Sequence, residues 1–517
     1  MENTIRLDGD SLTIDGVVAV ARGGASAELS PEAKTKVAAC RELVEKFAAS
    51  GRVVYGITTG MGSYSNTAVP IDKARLVQRN YIRTHVSGVG NALPADATRA
   101  VMLTRANALA KGYSGLRLST VEMLLNMINL GVHPVIPEKG TVGASGDLAP
   151  LSHMVLAMMG EGAAEYQGKV MDSAGALKAA GLESLALDFR EGVGLVNATA
   201  AMTGIAALAV HDARRLVKTA EIAAALSLEA LEGMSDTFDE RTQAARPHPG
   251  QIASAANMRK IIRGSRLTLS LKSPRWQTGM RVQDAYSLRC IPQVMGAVRD
   301  ALEYGERVIG IELNSASDNP LLFVEGEDVL HGGNFHGQPV GAAMDFLSIA
   351  LNYISGISER RIARVTDKNE NGGLPGYLIA GEAGVQCGFI GAHLTASSLV
   401  AENRALCHPA SIQSIPTEAN EEDVVSMGTI AARKAAEILR NTEYIVGLEL
   451  LCAAHALDMR GIDKAAPGAR AAYDGIRARV PRWTEDRVLV KDIDSIMVLV
   501  RNGGLVAAVE QAVGKLG

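Results

Sequence analysis

GTVGASGDLAPLSH, residues 140–153, places Ser145 between Ala144 and Gly146, with Gly140 and Gly143 just before and Asp147 just after. Glycines flanking a serine suggest a phosphate loop, but the lysine that such a loop needs is missing. The spacing is not GxSxG either, so a serine hydrolase would have to use Ser145 without the strained elbow that exposes its nucleophile. Another chemistry suits these three residues. A tight bend can bring the amide nitrogen of Gly146 onto the carbonyl carbon of Ala144, and glycine, lacking a Cβ, leaves that nitrogen open for attack. Closure of a five-membered ring with loss of the Ala144 carbonyl oxygen as water, and loss of a second water from Ser145, then give an exocyclic methylidene, an electron-poor alkene within the backbone.

The surrounding chain is long enough to hold such a loop rigid. It has 517 residues, 47% hydrophobic and 21% charged, which supports a sizeable core without disulfide or metal staples. That composition excludes disorder and fibrous coiled coil. The 52 basic and 56 acidic residues leave a net charge of −4 without a block of like charge, so neither a nucleic-acid nor an anionic-membrane partner is expected. Cys40, Cys290, Cys387, Cys407 and Cys452 are scattered, lack CxxC spacing and fit a reducing cytoplasm. The start, Met1-Glu2-Asn3-Thr4, lacks the basic-then-apolar pattern of a signal peptide. Gly192 to His211 runs twenty residues without a charged side chain, long enough to span a membrane. It carries Asn197, Thr199 and Thr203 and leads into Asp212-Ala213-Arg214-Arg215, so a buried helix is expected instead.

Helical patterning dominates. Leu347, Ala350, Leu351, Ile354 and Ile357 follow the i, i+3, i+4, i+7 rule, with Asp345, Ser348, Asn352 and Glu359 expected on other faces. Ile438, Leu439, Ile445 and Val446 mark one face of another long helix. Alanine-rich helices are expected around 94–131, 199–234, 292–311, 339–365 and 427–459. Three short hairpins are expected: one around Asp8-Gly9-Asp10, one at 165–170 and one at 323–329. Glycines cluster between the helices, at 56, 60 and 62, at 140, 143 and 146, at 332, 333 and 337, and at 372 and 373, consistent with rigid loops converging on one site. The expected architecture is mainly α: a smaller loop-rich N-terminal part, 1–112, and a long central helical bundle, 113–517, carrying the serine loop.

The stretch at 140–153 resembles the signature of the ammonia-lyases and aminomutases that build a methylidene-imidazolone (MIO) prosthetic group from Ala-Ser-Gly. Other segments resemble the same family in the same order. They are Val54-Tyr55-Gly56-Ile57-Thr58-Thr59-Gly60, then Arg79-Asn80 through Thr84-His85 to Gly90, then Leu195-Val196-Asn197-Ala198-Thr199 and Gln283-Asp284-Ala285-Tyr286-Ser287-Leu288-Arg289. Glu312 to Pro320, Gly333-Asn334-Phe335-His336-Gly337-Gln338 and Asn420 to Met427 follow. The resemblance covers nearly the whole chain. It implies an ammonia-lyase/fumarase-like helical fold, a homotetramer whose active sites collect residues from three chains, and no external cofactor.

Residue roles follow from the resemblance. Ala144, Ser145 and Gly146 would form the MIO group, and Asn197 would bond the imidazolone oxygen as an oxyanion-type donor. Where the family usually has Asn-Gly-Thr this chain has Asn197-Ala198-Thr199, so the Ala198 methyl is expected to crowd a position of positive φ. Tyr55 resembles the base that takes the β-proton, for which its phenol must be lowered from about pKa 10. Tyr286 would assist proton handling, and Arg289 would grip the substrate carboxylate as a fork. Gln283, Asn319 and Phe335 would line or support the pocket. His85 and Glu422 resemble the selectivity pair of histidine-deaminating members, since a carboxylate suits an imidazole N–H or its cation. Ala285, Val424-Val425 and the run from Gly333 to Gln338 look more like tyrosine lyases and aminomutases. The expected reaction is L-histidine to trans-urocanate; tyrosine or phenylalanine ammonia-lyase, tyrosine 2,3-aminomutase and an inactive scaffold remain alternatives. The remaining histidines show no HxxH or HExxH pattern, so no metal is assigned.

Overall fold

A computed structural model describes residues 4–273 and 282–517. Met1–Asn3, read above as lacking a signal pattern, lie outside the described residues. The described chain is mainly helical, as expected, and forms two compact units. One comprises Met1–His211, Gly305–Asp345 and Pro409–Ala436; the other comprises Asp212–Tyr304, Phe346–His408 and Glu437–Gly517. Position 112 falls inside the first unit. The boundaries at 211, 304, 345 and 436 fall within the long helices Ala200–Ala230, Ile291–Glu312, Gln338–Thr366 and Gly428–Arg460.

The first unit opens with strand Thr4–Leu7, helix Ile14–Ala21 and strand Ser26–Leu29, and the two strands pair in parallel. The hairpin expected at Asp8-Gly9-Asp10 is therefore absent. Asp8 instead accepts the amide protons of Asp10 and Ser11, a local turn that leads into the helix. The other two hairpins form: Ala163–Tyr166 with Lys169–Asp172, and Leu321–Phe323 with Asp328–Leu330. Helix Ala95–Ala110 is buried along nearly its whole length, and Leu118–Leu130 stops at Gly131, whose φ of 74° is the left-handed cap that glycine adopts without strain.

The stretch Gly192–His211 is buried, as expected, but it is not one helix. Glu191–Val196 ends, Asn197–Thr199 breaks the helical path, and Ala200–Ala230 begins. Among the described residues one single helix, Gln338–Thr366, is long and apolar enough to cross a membrane, as is the pair Val490–Asn502 and Gly504–Val513 taken together despite its 63° bend. Of the most apolar window of Gln338–Thr366, 67% is buried within the protein.

In the second unit Leu347, Ala350, Leu351, Ile354 and Ile357 are buried as the periodicity predicts, and so are Ile438, Leu439, Ile445 and Val446. Ser348 and Glu359, expected on other faces, are buried too, as is Asp345 of the first unit. Each carboxylate has partners: Asp345 accepts from the amides of Ala410 and Ser411, and Glu359 accepts from His393 and Ser397. Hydrophobic periodicity cannot register a polar group that is buried because it is bonded.

Candidate active site

The Ala144-Ser145-Gly146 loop is fixed by backbone contact before any side chain acts. Gly146 has φ +73°, and a Cβ there would lie 2.2 Å from the carbonyl oxygen of Ala198, so only glycine permits this approach. The two residues form an isolated parallel bridge, and the amide of Asp147 donates to the Ala198 carbonyl at 2.7 Å. Ala198 itself does not have a positive φ. The strain expected from its methyl is therefore absent, and it is the Ala198 carbonyl that meets the loop. From the other side, Met427 N–H donates to the Val142 carbonyl (2.8 Å) and the Ser426 hydroxyl to the Gly143 carbonyl (2.9 Å).

Asp147 completes the clamp. Its buried carboxylate accepts from the Met202 amide at 2.8 Å and from the Thr429 hydroxyl, so it sits at the N-terminal turns of the helices that start at Ala200 and Gly428. Burial pushes its pKa up to about 6, against those hydrogen bonds.

Two side chains reach Ser145. Glu422 Oε1 accepts from the Ser145 hydroxyl at 2.8 Å, while Glu422 Oε2 accepts from the Thr417 hydroxyl at 2.6 Å. Asn197 Nδ2 donates to the Ser145 carbonyl at 3.4 Å, and Asn197 Oδ1 is buried without a hydrogen-bond partner. Asn197 is held by what precedes it. The fully buried Arg105 donates to the carbonyls of Gly194 and Leu195, the last turn of the short helix, and burial lowers its pKa to about 10.

Tyr55 is set between Val54 and Ile57, both buried in an apolar cluster with Cys40, Leu43, Val44, Phe47 and Leu322. Its hydroxyl oxygen accepts the Gly62 amide proton at 3.1 Å, and its ring meets His331 edge-on. Burial pushes the phenol above its ordinary value, and the charges of Glu418 and Glu421 add to this; the Gly62 N–H and the Arg190 guanidinium oppose it. The lowered phenol expected from the sequence is thus not produced within this chain, because desolvation outweighs Arg190. Arg190 is itself buried and paired with Asp318 at 2.8 Å.

His85 ends helix Ile71–His85 and packs on Tyr81 one turn earlier, ring centroids 4.2 Å apart. Its Nδ1 lies 2.8 Å from the Tyr81 carbonyl. A carbonyl only accepts, so Nδ1 carries a proton, and in the neutral tautomer that has it Nε2 is the acceptor. Asn319 accepts the Gly332 amide proton through Oδ1 (2.9 Å), and Phe335 is half-buried in the same unit.

Gln283, Tyr286 and Arg289 belong to the second unit. There Asp284 accepts from the Met234 amide, and Arg361, paired with Glu449, donates to the Ser287 carbonyl. Those bonds hold a short helix on which Tyr286 is 70% exposed and the Arg289 guanidinium lies over the Tyr286 ring at 4.6 Å. Arg289 Nε is buried without a hydrogen-bond partner. The first unit therefore joins Ser145, Asn197 and Glu422 by direct contacts and also holds Tyr55, and the second presents Tyr286 with Arg289.

Tyr81, Asp147, Arg190 and Glu418 are site neighbours that sequence reading did not single out. Tyr81 had a usable signal, its i, i+4 spacing to His85; the others depend on contacts between distant segments. Among the described residues no group of three His, Cys, Asp or Glu side chains is arranged to hold a metal ion.

Residues 12–478 match the model of the aromatic amino acid lyase family. The chain is 49% identical to a histidine ammonia-lyase of Alkaliphilus oremlandii over 509 residues, 98% of this chain and 99% of that protein. Among solved structures it resembles a tyrosine aminomutase from Streptomyces globisporus with a TM-score of 0.95 and 40% identity, covering 99% of this chain and 100% of that one. It also resembles a histidine ammonia-lyase from Trypanosoma cruzi with a TM-score of 0.91 and 38% identity, covering 99% of this chain and 96% of that one.

Proposed function

The chain belongs to the aromatic amino acid lyase family, and on that premise we propose that it removes ammonia from L-histidine to leave trans-urocanate. It is a carbon–nitrogen lyase. The observation that carries the choice of substrate is the Glu422 carboxylate beside Ser145. In the encoded chain Glu422 Oε1 is occupied by the Ser145 hydroxyl; once that oxygen has left as water, Oε1 is free to accept from an imidazole N–H. Oε2 stays on Thr417, which keeps the carboxylate aimed.

The residues present fit an MIO group formed from Ala144-Ser145-Gly146. Gly146 lies where a Cβ cannot, and the Ser145 carbonyl, which would become the ring carbonyl, already faces the Asn197 amide. The group would supply an electrophile for the substrate amine. Asn197 would hold the developing negative charge on the ring oxygen, while Tyr55, placed by Val54, Ile57 and Gly62, would take the β-proton. Arg289, with a buried Nε lacking a partner, would grip the substrate carboxylate, and Tyr286 would assist proton handling. His85 Nε2 would accept from the substrate ring; Gln283, Asn319 and Phe335 would shape the pocket.

This reading includes a homotetramer in the cytoplasm. Phe346, Tyr353 and Leu394 are exposed on helices of the second unit, and Tyr353 also lines a cavity of about 490 Å³ with residues including Gln293, Asn352 and Arg404. Exposed apolar surface of that kind is what further copies of the chain would cover. The free cysteines, two of them buried, suit a reducing compartment.

A second reading, tyrosine as substrate with the amine returned to the β-carbon, is favoured by the likeness to the tyrosine aminomutase and by the bare His85 Nε2, which can accept from a phenol. One experiment separates them. The protein is incubated with histidine, tyrosine and phenylalanine in turn, following ammonia, the ultraviolet-absorbing acrylate and any β-amino acid, while its intact mass is recorded. The proposal expects urocanate from histidine, a mass lower by two water molecules, and loss of both in Ser145→Ala. A wild-type protein of full mass with full activity would overturn the MIO assignment, and a β-amino acid as main product the lyase.

A further inference from the structure

We propose that Glu418 is a positioning residue that latches the Tyr55 loop to the segment carrying Glu422. The Gly62 amide donates to the Tyr55 hydroxyl (3.1 Å), and the next amide, that of Ser63, donates to Glu418 Oε1 (3.0 Å). The carboxylate is seated against the Gly62 backbone so closely that a Cβ on Gly62 would lie 1.7 Å from Oε1. Glycine at 62, with φ +56°, is therefore what lets the two loops meet.

The other end of the latch is equally constrained. Glu418, Ala419 and Asn420 have φ of 45°, 55° and 68°, three successive non-glycine residues in the left-handed region. Such a turn persists only where its surroundings fix it. Here the fixing contacts are Glu418 on Ser63 and the pairing of Thr417 with Glu422, whose carboxylate receives the Ser145 hydroxyl. One connected path thus runs from the Tyr55 hydroxyl through Gly62, Ser63 and Glu418 to Glu422 and Ser145. Glu418 acts through its acceptor oxygen, not through substrate.

The inference rests on the lyase reading for its kinetic arm only. Wild type, Glu418→Ala, Glu418→Gln and Gly62→Ala are compared by ammonia release, intact mass and chymotrypsin cleavage after Tyr64, an exposed residue in the latched loop. Glu418→Ala and Gly62→Ala should lower kcat about tenfold with KM changed less than about twofold, since placement of the base is realised in the transition state. Both should cleave faster after Tyr64, with the two-water mass loss intact. Glutamine keeps the acceptor oxygen and should match wild type in cleavage and mass loss; because it removes a charge that raises the Tyr55 phenol, its kcat should not fall below that of wild type. Wild-type cleavage in Glu418→Ala overturns the latch, whatever the activity; so does a Glu418→Gln variant as impaired as alanine. If wild type itself releases no ammonia while cleavage follows the expected order, the latch stands and the substrate assignment falls.

Discussion

Glu422 holds two hydroxyl donors in the encoded chain, and on the proposed reading only one of them, Thr417, would survive dehydration of Ser145. Glutamine at 422 would keep the shape and an acceptor but lose the charge. Glu422→Gln should therefore lower histidine turnover by about one to two decades, the worth of a charge-assisted hydrogen bond of ~1.5–3 kcal/mol, measured as urocanate formation at saturating substrate. Full histidine activity in that variant would remove the main support for histidine. The motifs made Asn197 and Glu422 legible as candidates for the site of Ser145, but the hydrogen bond between Glu422 and the Ser145 hydroxyl was not legible. Nor was the raised phenol of Tyr55, because it depends on how deeply the ring is buried and on carboxylates at 418 and 421 that meet it only after folding.

The short helix Glu191–Val196 is pinned at both ends: Glu191 accepts from Arg117 and Thr120 at its first turn, and a buried arginine closes its last. Arg105 closes its last turn by donating to the Gly194 and Leu195 carbonyls, and Asn197 follows directly. Arg105→Met would leave two buried carbonyls without donors. The expected loss is about 3 kcal/mol of stability, read by urea denaturation, with a larger share of protein retaining full mass because Asn197 is released. Composition made four of the long helices legible almost end to end, since alanine-rich stretches whose prolines stand only at the first turn leave the backbone little alternative. The stretch expected around 94–131 is instead two helices, Ala95–Ala110 and Leu118–Leu130, with glycines at 112 and 115 between them. The parallel pairing of Thr4–Leu7 with Ser26–Leu29 was not legible. Alternation of Ile5 and Leu7 marks a strand but does not name its partner, and the turn-like Asp8-Gly9-Asp10 proves to be the approach to a helix.

At the scale of the whole molecule, two features set stability and assembly. Glu229 is buried in the second unit, accepts from the Ala466 amide, and has its pKa pushed up to about 7 by burial. A carboxyl raised above its unfolded value favours the fold most below about pH 4.5, and that contribution is lost as pH rises through 7. The stability of Glu229→Gln relative to wild type should therefore grow between pH 4.5 and 7, by on the order of 2 kcal/mol, in denaturation midpoints taken across that range. Phe346 and Leu394, exposed in the second unit, test the assembly. Phe346→Glu combined with Leu394→Glu should lower the mass found by light scattering below that of four chains, and ammonia release should fall with it if sites are shared. An unchanged mass would place the assembly surface elsewhere.

The clamp around Gly143–Asp147 also has a schedule. Its contacts come from Ala198 and Met202 and then from Ser426, Met427 and Thr429, the last of which is made 284 residues after Ser145. At about 5–20 residues per second, the ribosome delivers Thr429 roughly 15 to 60 s after Ser145. On the ring-closure reading, nascent chains halted before Ser426 keep every atom of Ala144-Ser145-Gly146. The reactive group is then armed only once the segment 426–429 has been made, and a chain halted before it carries no electrophile.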